Sequence, residues 1–256
     1  MADALSLAAL PGIPLVRAGD DLAAILADGL ARLGAPPGPG DVLVVAQKVV
    51  SKAEGRMVAL ADVTPSAEAV ALAERTGKDP RLVELILRES VRVVRARRGL
   101  LIVEHRRGFV MANAGIDQSN VAPPDGPPHA LLLPEDPDAS AAALRARLGL
   151  PVIVNDSFGR AWRRGTCGVA LGAAGLPALL DLRGSPDLMG RRMEVSVVGF
   201  ADEIAAAASL LMGQGAEGQP AVLVRGLQWT TSTTAATAPP QPAAALVRPA
   251  AEDLFR

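Results

Sequence analysis

Three short stretches hold residues whose types and spacing suit chemistry on a phosphate. The first is Gln47-Lys48-Val49-Val50-Ser51-Lys52-Ala53-Glu54-Gly55-Arg56. It contains two of the chain's lysines; the third is Lys78, and the other basic residues are Arg. A Lys ammonium is a compact point charge that suits phosphate oxygens. The stretch also reads as a solvated charged turn, because it lacks the Gly-rich Lys-Ser/Thr pattern of a phosphate loop. The second stretch is Ala112-Asn113-Ala114-Gly115-Ile116-Asp117-Gln118-Ser119-Asn120. Its Asp, Ser and Asn oxygens suit Mg²⁺ or Mn²⁺. The same residues also form Asx turns, in which Asp or Asn bonds its own backbone. The third is Asn155-Asp156-Ser157-Phe158-Gly159-Arg160-Ala161-Trp162-Arg163-Arg164-Gly165. Here a carboxylate and a hydroxyl precede three Arg that could offset phosphate charge. Trp162 could stack on a base or wedge the loop. The bland alternative is an Arg-rich surface loop.

Each stretch follows a run that the sequence predicts to be a strand. Val42 to Ala46 is a short apolar, β-branched run, read as a buried strand. Val91–Arg95, Leu100–Glu104 and Gly108–Asn113 read as an antiparallel meander, and Val152–Val154 as another buried strand. Residues 157–168 read as a loop. Val195–Val198 and Ala221–Val224 complete the strands. Helices are expected from Leu22, after Gly19-Asp20-Asp21, to about Gly34, and from Asp79-Pro80 onward. Two more are expected from Asp138 to Gly149 and from Asp202 to Met212. Residues 230–243, rich in Thr, Ala and Pro, read as a flexible segment. Strands and helices do not alternate strictly. An α+β fold with mixed and antiparallel sheets and packed helices is expected, as one domain over 1–256 that could hold two subdomains.

Composition excludes several classes of function. The chain has 256 residues, with 26 Lys+Arg against 27 Asp+Glu, so it lacks the basic excess of a nucleic-acid binder. One Cys and two His leave no disulfide framework and no His- or Cys-based metal centre, and point to a reducing compartment. No apolar run reaches the roughly 18 residues of a membrane span. The start, Met-Ala-Asp-Ala-Leu-Ser, lacks the basic opening of a signal peptide. A cytoplasmic protein is expected. His105 reads as a strand-end residue, Cys167 as a small packed residue, and no Ser/His/Asp order suggests a triad.

With these residues on the page the chain resembles a known family, the coenzyme F420-0:γ-glutamyl ligases (CofE-type enzymes). The matching segments are Gly12-Ile13-Pro14 with Arg17 and Gly19-Asp20-Asp21, then Lys48 to Arg56. Ala114-Gly115-Ile116-Asp117 with Ser119-Asn120-Val121 follows, and then Leu133-Pro134 with Asp136-Pro137-Asp138. The series continues through Asp156-Ser157, Gly159-Arg160, Trp162-Arg163 and Ala201 to Ala205. Met212-Gly213 and Val224-Arg225-Gly226 close it. Many segments in one order are more specific than any one of them.

The resemblance implies a GTP-dependent ligase that adds L-glutamate to F420-0 through an acyl phosphate and extends a γ-glutamyl tail. It implies an intertwined homodimer acting on small molecules, with no nucleic acid and no membrane. It also implies Mg²⁺ or Mn²⁺, two per site, and K⁺ as a further cation. Asp117 and Asp156 match metal carboxylates, and Ser157 matches a Thr beside the second metal. Ile13, Pro14, Leu15, Val16, Gln47, Lys52, Asn120 and Gln214 match nucleotide-binding positions. Lys52, Arg160 and Arg163 are expected to offset charge in the transition state. The chain departs from the family at Gly168, where relatives carry Asp, at His105, where Thr or Asn is common, and at Asn155, where Thr or Ser is usual. A paralogous ligase that glutamylates a different acid would carry such departures. The chain also reads as lacking the flavin-type reductase domain that some relatives append.

Overall fold

The computed structural model describes residues 4–34, 36–121, 125–229 and 238–253. Among these, the first half of the chain forms β1 (Ser6–Ala9), α1 (Leu22–Arg32), β2 (Val42–Ala46), α2 (Gln47–Ala53), β3 (Met57–Ala59), α3 (Ala67–Thr76) and α4 (Pro80–Arg88). Next come β4 (Ser90–Arg97), β5 (Leu100–His105), β6 (Val110–Ala112), β7 (His129–Leu131) and α5 (Pro137–Leu148). The chain continues with β8 (Val152–Gly159), β9 (Thr166–Ala174), β10 (Leu180–Asp181), β11 (Val197–Val198), α6 (Phe200–Met212) and β12 (Ala221–Arg225).

The main sheet has the order β1-β12-β2-β8-β9. Only its β2–β8 pair is parallel; the others are antiparallel. Strand periodicity explains its two covered faces, because successive side chains point to opposite sides. Val42, Val44, Ile153, Val222 and Val224 pack toward α6. Leu43, Val45, Val152, Val154 and Leu223 pack toward α1 and α5. A second core lies in the segment between α2 and α5. There Leu82, Val83, Leu85 and Ile86 of α4 meet Leu72 of α3, Leu101 and Val103 of β5, and Ala130 of β7. The fold is therefore α+β with mixed and antiparallel sheets, as the sequence predicts.

Several boundaries differ from the sequence reading. Residues 157–168 are not a single loop. β8 runs on through Asn155, Asp156 and Ser157 to Gly159, and β9 returns from Thr166, so only 160–165 turn. The polar run Asn-Asp-Ser hides the strand from an apolar-run criterion. Gln47 to Ala53 is a helix and not a charged turn, with Gln47, Val50 and Ser51 buried. Asp136, not Asp138, caps α5 by accepting from Ala139 N. Asp138 instead accepts from Ala173 N at 2.8 Å and Ala243 N at 2.7 Å. Gly199 stands at the N-cap of α6, and Asp202 in its first turn accepts from Ala170 N at 2.9 Å. Of the segment expected to be flexible, 230–237 lies outside the described residues. The remainder is fastened: Gln241 N donates to Leu176 O, and Ala243 N to Asp138. Cys167 is half-buried on β9, opposite Phe158.

Two of the departures from the family pattern have structural causes. Gly168 passes directly under α6. A β-carbon there would strike Ser209 Oγ and stand 2.5 Å from the carbonyl oxygen of Ala205. Backbone cannot move aside as a side-chain tip can. Gly168→Ala is expected to destabilise the fold by about 1–3 kcal/mol, the range for overpacking. Its urea midpoint would fall with the slope unchanged.

His105 ends β5, is 3% exposed, and belongs to a charge cluster around Glu89. Its Nδ1 accepts from Arg107 N at 3.0 Å, which sets the proton on Nε2. That Nε2 faces Glu89 Oε2 at 3.5 Å. Arg106 Nη2 donates to Glu89 Oε1 at 2.8 Å, and Arg56 Nη2 lies 3.6 Å from Oε2. Burial pushes the Glu89 carboxyl up, but His105, Arg106 and Arg56 outweigh it and hold it down at about 2, against an ordinary 4.5. A depressed carboxyl stabilises the fold fully above the unfolded value and loses that contribution as pH falls through the folded one. Stability is therefore expected to decline between about pH 4.5 and about pH 2. In Glu89→Gln that step should flatten in acid titrations followed by circular dichroism.

Candidate active site

The parallel pair β2–β8 brings the first and third stretches together. Ala46 at the end of β2 is in register with Asn155. α2 starts at once from β2, so Gln47 and Lys48 stand beside Asp156. On α2, residues four apart share a face. Gln47, 2% exposed, accepts from Ser51 Oγ at 3.0 Å. Lys48 and Lys52 form the corresponding pair on the outer side. Two like charges one turn apart repel, so something must offset them.

The second stretch supplies that offset. Asp117 is held by main-chain bonds in both directions to Leu131, on β7. Its Oδ2 lies 2.6 Å from Lys48 Nζ. Its Oδ1 accepts from Ser119 N at 2.9 Å and from Ser119 Oγ at 2.8 Å. The Asx turn and the charged-site reading thus hold together, one on each oxygen. Lys48 Nζ also donates to Ser119 Oγ at 2.9 Å, and Lys52 Nζ to Asn120 O at 2.6 Å. Asn120 has φ 56, a left-handed value that Asn tolerates better than most residues.

The two carboxylates behave differently. For Asp117, burial pulls the pKa up, but Lys48 and the Ser119 donors outweigh it and leave it below the ordinary value. For Asp156, burial pushes the pKa up to about 7, and the negative charge of Asp117 adds to the rise. Ser157 N–H, Lys48 and Gln47 oppose it. Lys52 is lowered by burial and by Lys48, against the pull of Asp117. Two neighbouring carboxylates, one of which resists ionising, form an arrangement that a cation would relieve.

A cleft of about 370 Å³ opens over this cluster. Ile13, Pro14, Leu15 and Val16 line it, with Gln47, Lys48, Lys52, Asn120, Asn155, Asp156, Ser157 and Gln214. Ser157 Oγ donates to Gln214 Oε1 at 2.6 Å. Asn120 Nδ2 donates to Gly215 O at 3.3 Å, so the turn after α6 is tied to the second stretch. Every residue expected at the nucleotide positions therefore meets in one cleft, with Asp156 and Ser157 in its wall and Asp117 paired to Lys48 at its edge. Arg160 and Arg163 are not brought in. They sit on the exposed turn between β8 and β9, with Trp162 87% exposed and at φ 63. Trp162 thus does not wedge the loop.

The donor set suits Mg²⁺ or Mn²⁺. These ions take carboxylate, hydroxyl, water and phosphate oxygens and need only one or two protein carboxylates. No group of three or more His, Cys, Asp or Glu gathers among the described residues. Lys48 stood in the first stretch as one of its two lysines but was given no role of its own; the structure makes it the direct partner of Asp117, one helical turn before Lys52. The expected site residues did not include the Gly213-Gln214-Gly215 turn as a whole; its paired glycines after a helix were the available signal. Gly168 and His105 do not line the cleft.

The profile of the F420-0:γ-glutamyl ligase family matches residues 12–226 of the chain. A coenzyme F420:L-glutamate ligase from Methanothermobacter thermautotrophicus is 46% identical over 258 residues, covering 98% of this chain and 99% of the relative. Its namesake from Methanopyrus kandleri is 47% identical, covering 94% and 93%. The one from Natronomonas pharaonis is 46% identical, covering 87% and 85%. The family profile spans the cleft, both carboxylates and both lysines, and on that breadth of agreement the chain belongs to the F420-0:γ-glutamyl ligase family of amide-forming ligases.

Proposed function

We propose that this ligase joins L-glutamate to the carboxylate of F420-0 at the expense of GTP, through an acyl phosphate, and extends the product through γ-linkages. The single observation that carries the reading is the meeting of Lys48, Lys52, Asp117 and Asp156 at one cleft walled by Ile13 to Val16.

A carboxylate does not condense with an amine in neutral water, because oxide is the leaving group. The γ-phosphoryl group of GTP passes to a carboxylate oxygen of the acceptor, and GDP leaves. The amine of glutamate then attacks the acyl carbon, and phosphate departs with the oxygen. Lys48 and Lys52 offer point charges to the phosphates. Ile13 to Val16 offer an apolar wall. Gln47 steadies Asp156, and Ser119 steadies Asp117. Held at Asp117, Asp156 and Ser157, one or two Mg²⁺ or Mn²⁺ ions would offset the charge that builds on the transferring phosphoryl group. No protein nucleophile is needed, so positioning and electrostatics carry the rate. We assign Arg160 and Arg163 to the arriving acceptor, whose charge they could offset from the exposed turn. The cytoplasmic setting, the homodimer and K⁺ belong to the same proposal. No helix among the described residues is long and apolar enough to cross a membrane.

A paralogue that glutamylates another acid was the alternative, suggested by Gly168 and His105. Neither residue lines the cleft: His105 belongs to the Glu89 cluster, and Gly168, opposite Ser157 on the neighbouring strand, is packed under α6, which favours F420-0. The test is to incubate the purified protein with F420-0, L-glutamate, GTP and Mn²⁺ and to weigh the products. One or more added glutamyl units, lost with a chelator and reduced when ATP replaces GTP, is the expected result. Metal-dependent GTP binding with no added mass would shift the reading to another acceptor.

A further inference from the structure

The reaction above gives Lys48 to the phosphates, yet its ammonium is already spent elsewhere. An ammonium carries three N–H donors. Lys48 Nζ lies 2.6 Å from Asp117 Oδ2 and donates to Ser119 Oγ at 2.9 Å and to Ser119 O at 3.2 Å. The proton inventory closes. Ser119 Oγ gives its own hydrogen to Asp117 Oδ1 at 2.8 Å, so a lone pair of the same oxygen takes Lys48. Among the described residues Lys52 donates to Asn120 O alone, at 2.6 Å, and keeps two donors for a phosphate. Lys48, as it stands, keeps none.

Asp117 is engaged to the same degree. Its Oδ1 accepts from Ser119 N and Ser119 Oγ, and its Oδ2 faces Lys48. A divalent cation and an ammonium seek the same carboxylate oxygen, and two cations crowded against it repel each other. One of the present partners must therefore yield to a metal ion. Ser119 belongs to a turn closed onto Asp117 two residues back, and Asp117 is bonded through its main chain to Leu131 in both directions. Lys48 reaches the oxygen on a flexible four-carbon stem. It lines the cleft, and both side chains of the pair are 29% exposed. Lys48 is the partner free to leave.

We propose that Lys48 is the resident counter-ion of Asp117, that a divalent cation displaces it, and that the displaced ammonium then meets the nucleotide phosphates. The two duties of this lysine become successive states of one side chain. Metal binding frees a phosphate donor, so metal and nucleotide each favour the other's binding. The inference rests on the metal and nucleotide reading given above.

The test measures Mn²⁺ binding to the full chain without substrates, from the electron paramagnetic resonance signal of free Mn²⁺. Lys48→Met removes the competing ammonium and keeps the bulk of the stem. It is expected to tighten Mn²⁺ binding by about 10- to 100-fold, the worth of a charged hydrogen bond that the ion no longer has to break. Loss of any nearby positive charge favours a cation, so Lys52→Met is the control. It removes the same charge from the same helix without a contact to Asp117. It should tighten binding by about fivefold at most, the scale of a charge pair near the surface. A Lys48→Met effect no larger than that of Lys52→Met overturns the proposal. Wild type alone gives a second reading. Its lysines are Lys48, Lys52 and Lys78, so acetylation can be followed at each by peptide mass. An ammonium enclosed by three oxygens acetylates slowly. Mg²⁺ should speed the labelling of Lys48 and leave that of Lys78, outside the cleft, unchanged. Lys48 labelling that Mg²⁺ leaves unchanged or slows overturns the proposal even if no variant folds. Product masses from the glutamate-transfer assay are independent of both readings. A wild type that shows the exchange but transfers no glutamate overturns the ligase reading alone. An active wild type with the contrary results overturns this inference alone.

Discussion

Asp117→Asn is expected to lower kcat/KM for glutamate transfer by about 10²–10³-fold, the scale of removing one preorganised group that stabilises transition-state charge. The substitution keeps size and shape. Asn still accepts from Ser119 N and Ser119 Oγ through its oxygen, so the turn at 117–119 should persist. Its amide nitrogen, however, replaces the oxygen that faces Lys48 Nζ at 2.6 Å, and two donors then confront each other. The site loses one negative charge, and Lys48 loses its counter-ion. Half-saturating Mn²⁺ should rise together with the loss of turnover, and the unfolding midpoint should stay near wild type. Full turnover with unchanged Mn²⁺ dependence would remove Asp117 from the assigned role.

Glu89→Ala is expected to have the largest effect on stability. Removing one partner from a buried ion cluster leaves cations in low dielectric with no counter-charge, at a cost of about 3–5 kcal/mol. Arg106 is half-exposed and can turn to water, so about 3 kcal/mol is the better figure within that range. Arg56 cannot escape in that way, and the N–H of His105 Nε2 would lose the acceptor it faces. A lower urea midpoint with unchanged slope would be the reading. A loss under about 1 kcal/mol would mean that the cluster acts as a surface pair. The effect extends toward the cleft. Arg56 accepts at its carbonyl from Leu132 N and donates through Nε to Leu133 O, and its own N–H reaches Ser51 O on α2. Glu89 thus braces the strand that carries the partner of Asp117.

Much of the main sheet was legible in the sequence. Val42 to Ala46 matches β2 at both ends, because a short β-branched run between Gly40 and Gln47 has few other ways to bury itself. α1 follows its acidic cap, where Asp21 Oδ1 accepts from Ala24 N at 3.0 Å. α4 follows Asp79-Pro80 in the same way. β8 was cut short because Asn155, Asp156 and Ser157 are polar for the sake of the cleft, and a strand that serves a site breaks the apolar pattern. α3 went unread although Ser66 caps it and Gly77 ends it. α2 has seven residues and no side-chain cap. Packing against β2 and β8 holds it, and local propensity does not.

The candidate site was legible as three stretches and not as contacts. That Lys48 faces Asp117, or that Ser157 meets Gln214, depends on how distant segments fold back on each other. Spacing carries no trace of that. The roles given to Ile13 to Val16 came through resemblance, since an apolar stretch next to Gly12 has no chemistry of its own to announce.

The one parallel pair in the main sheet has a consequence for the order in which the molecule assembles. Antiparallel neighbours such as β8 and β9 are joined by a short turn and can zip locally. β2 and β8 pair in parallel, with Ala46 opposite Asn155, and roughly a hundred residues must loop out between them. Such distant pairings form late and slowly. Until they form, α2 with its two lysines and the strand bearing Asp156 belong to separate pieces of chain. Nucleotide affinity should therefore appear as one of the last signals in refolding, after helical circular dichroism has recovered. Bound nucleotide would then draw slow-folding chains toward the finished state.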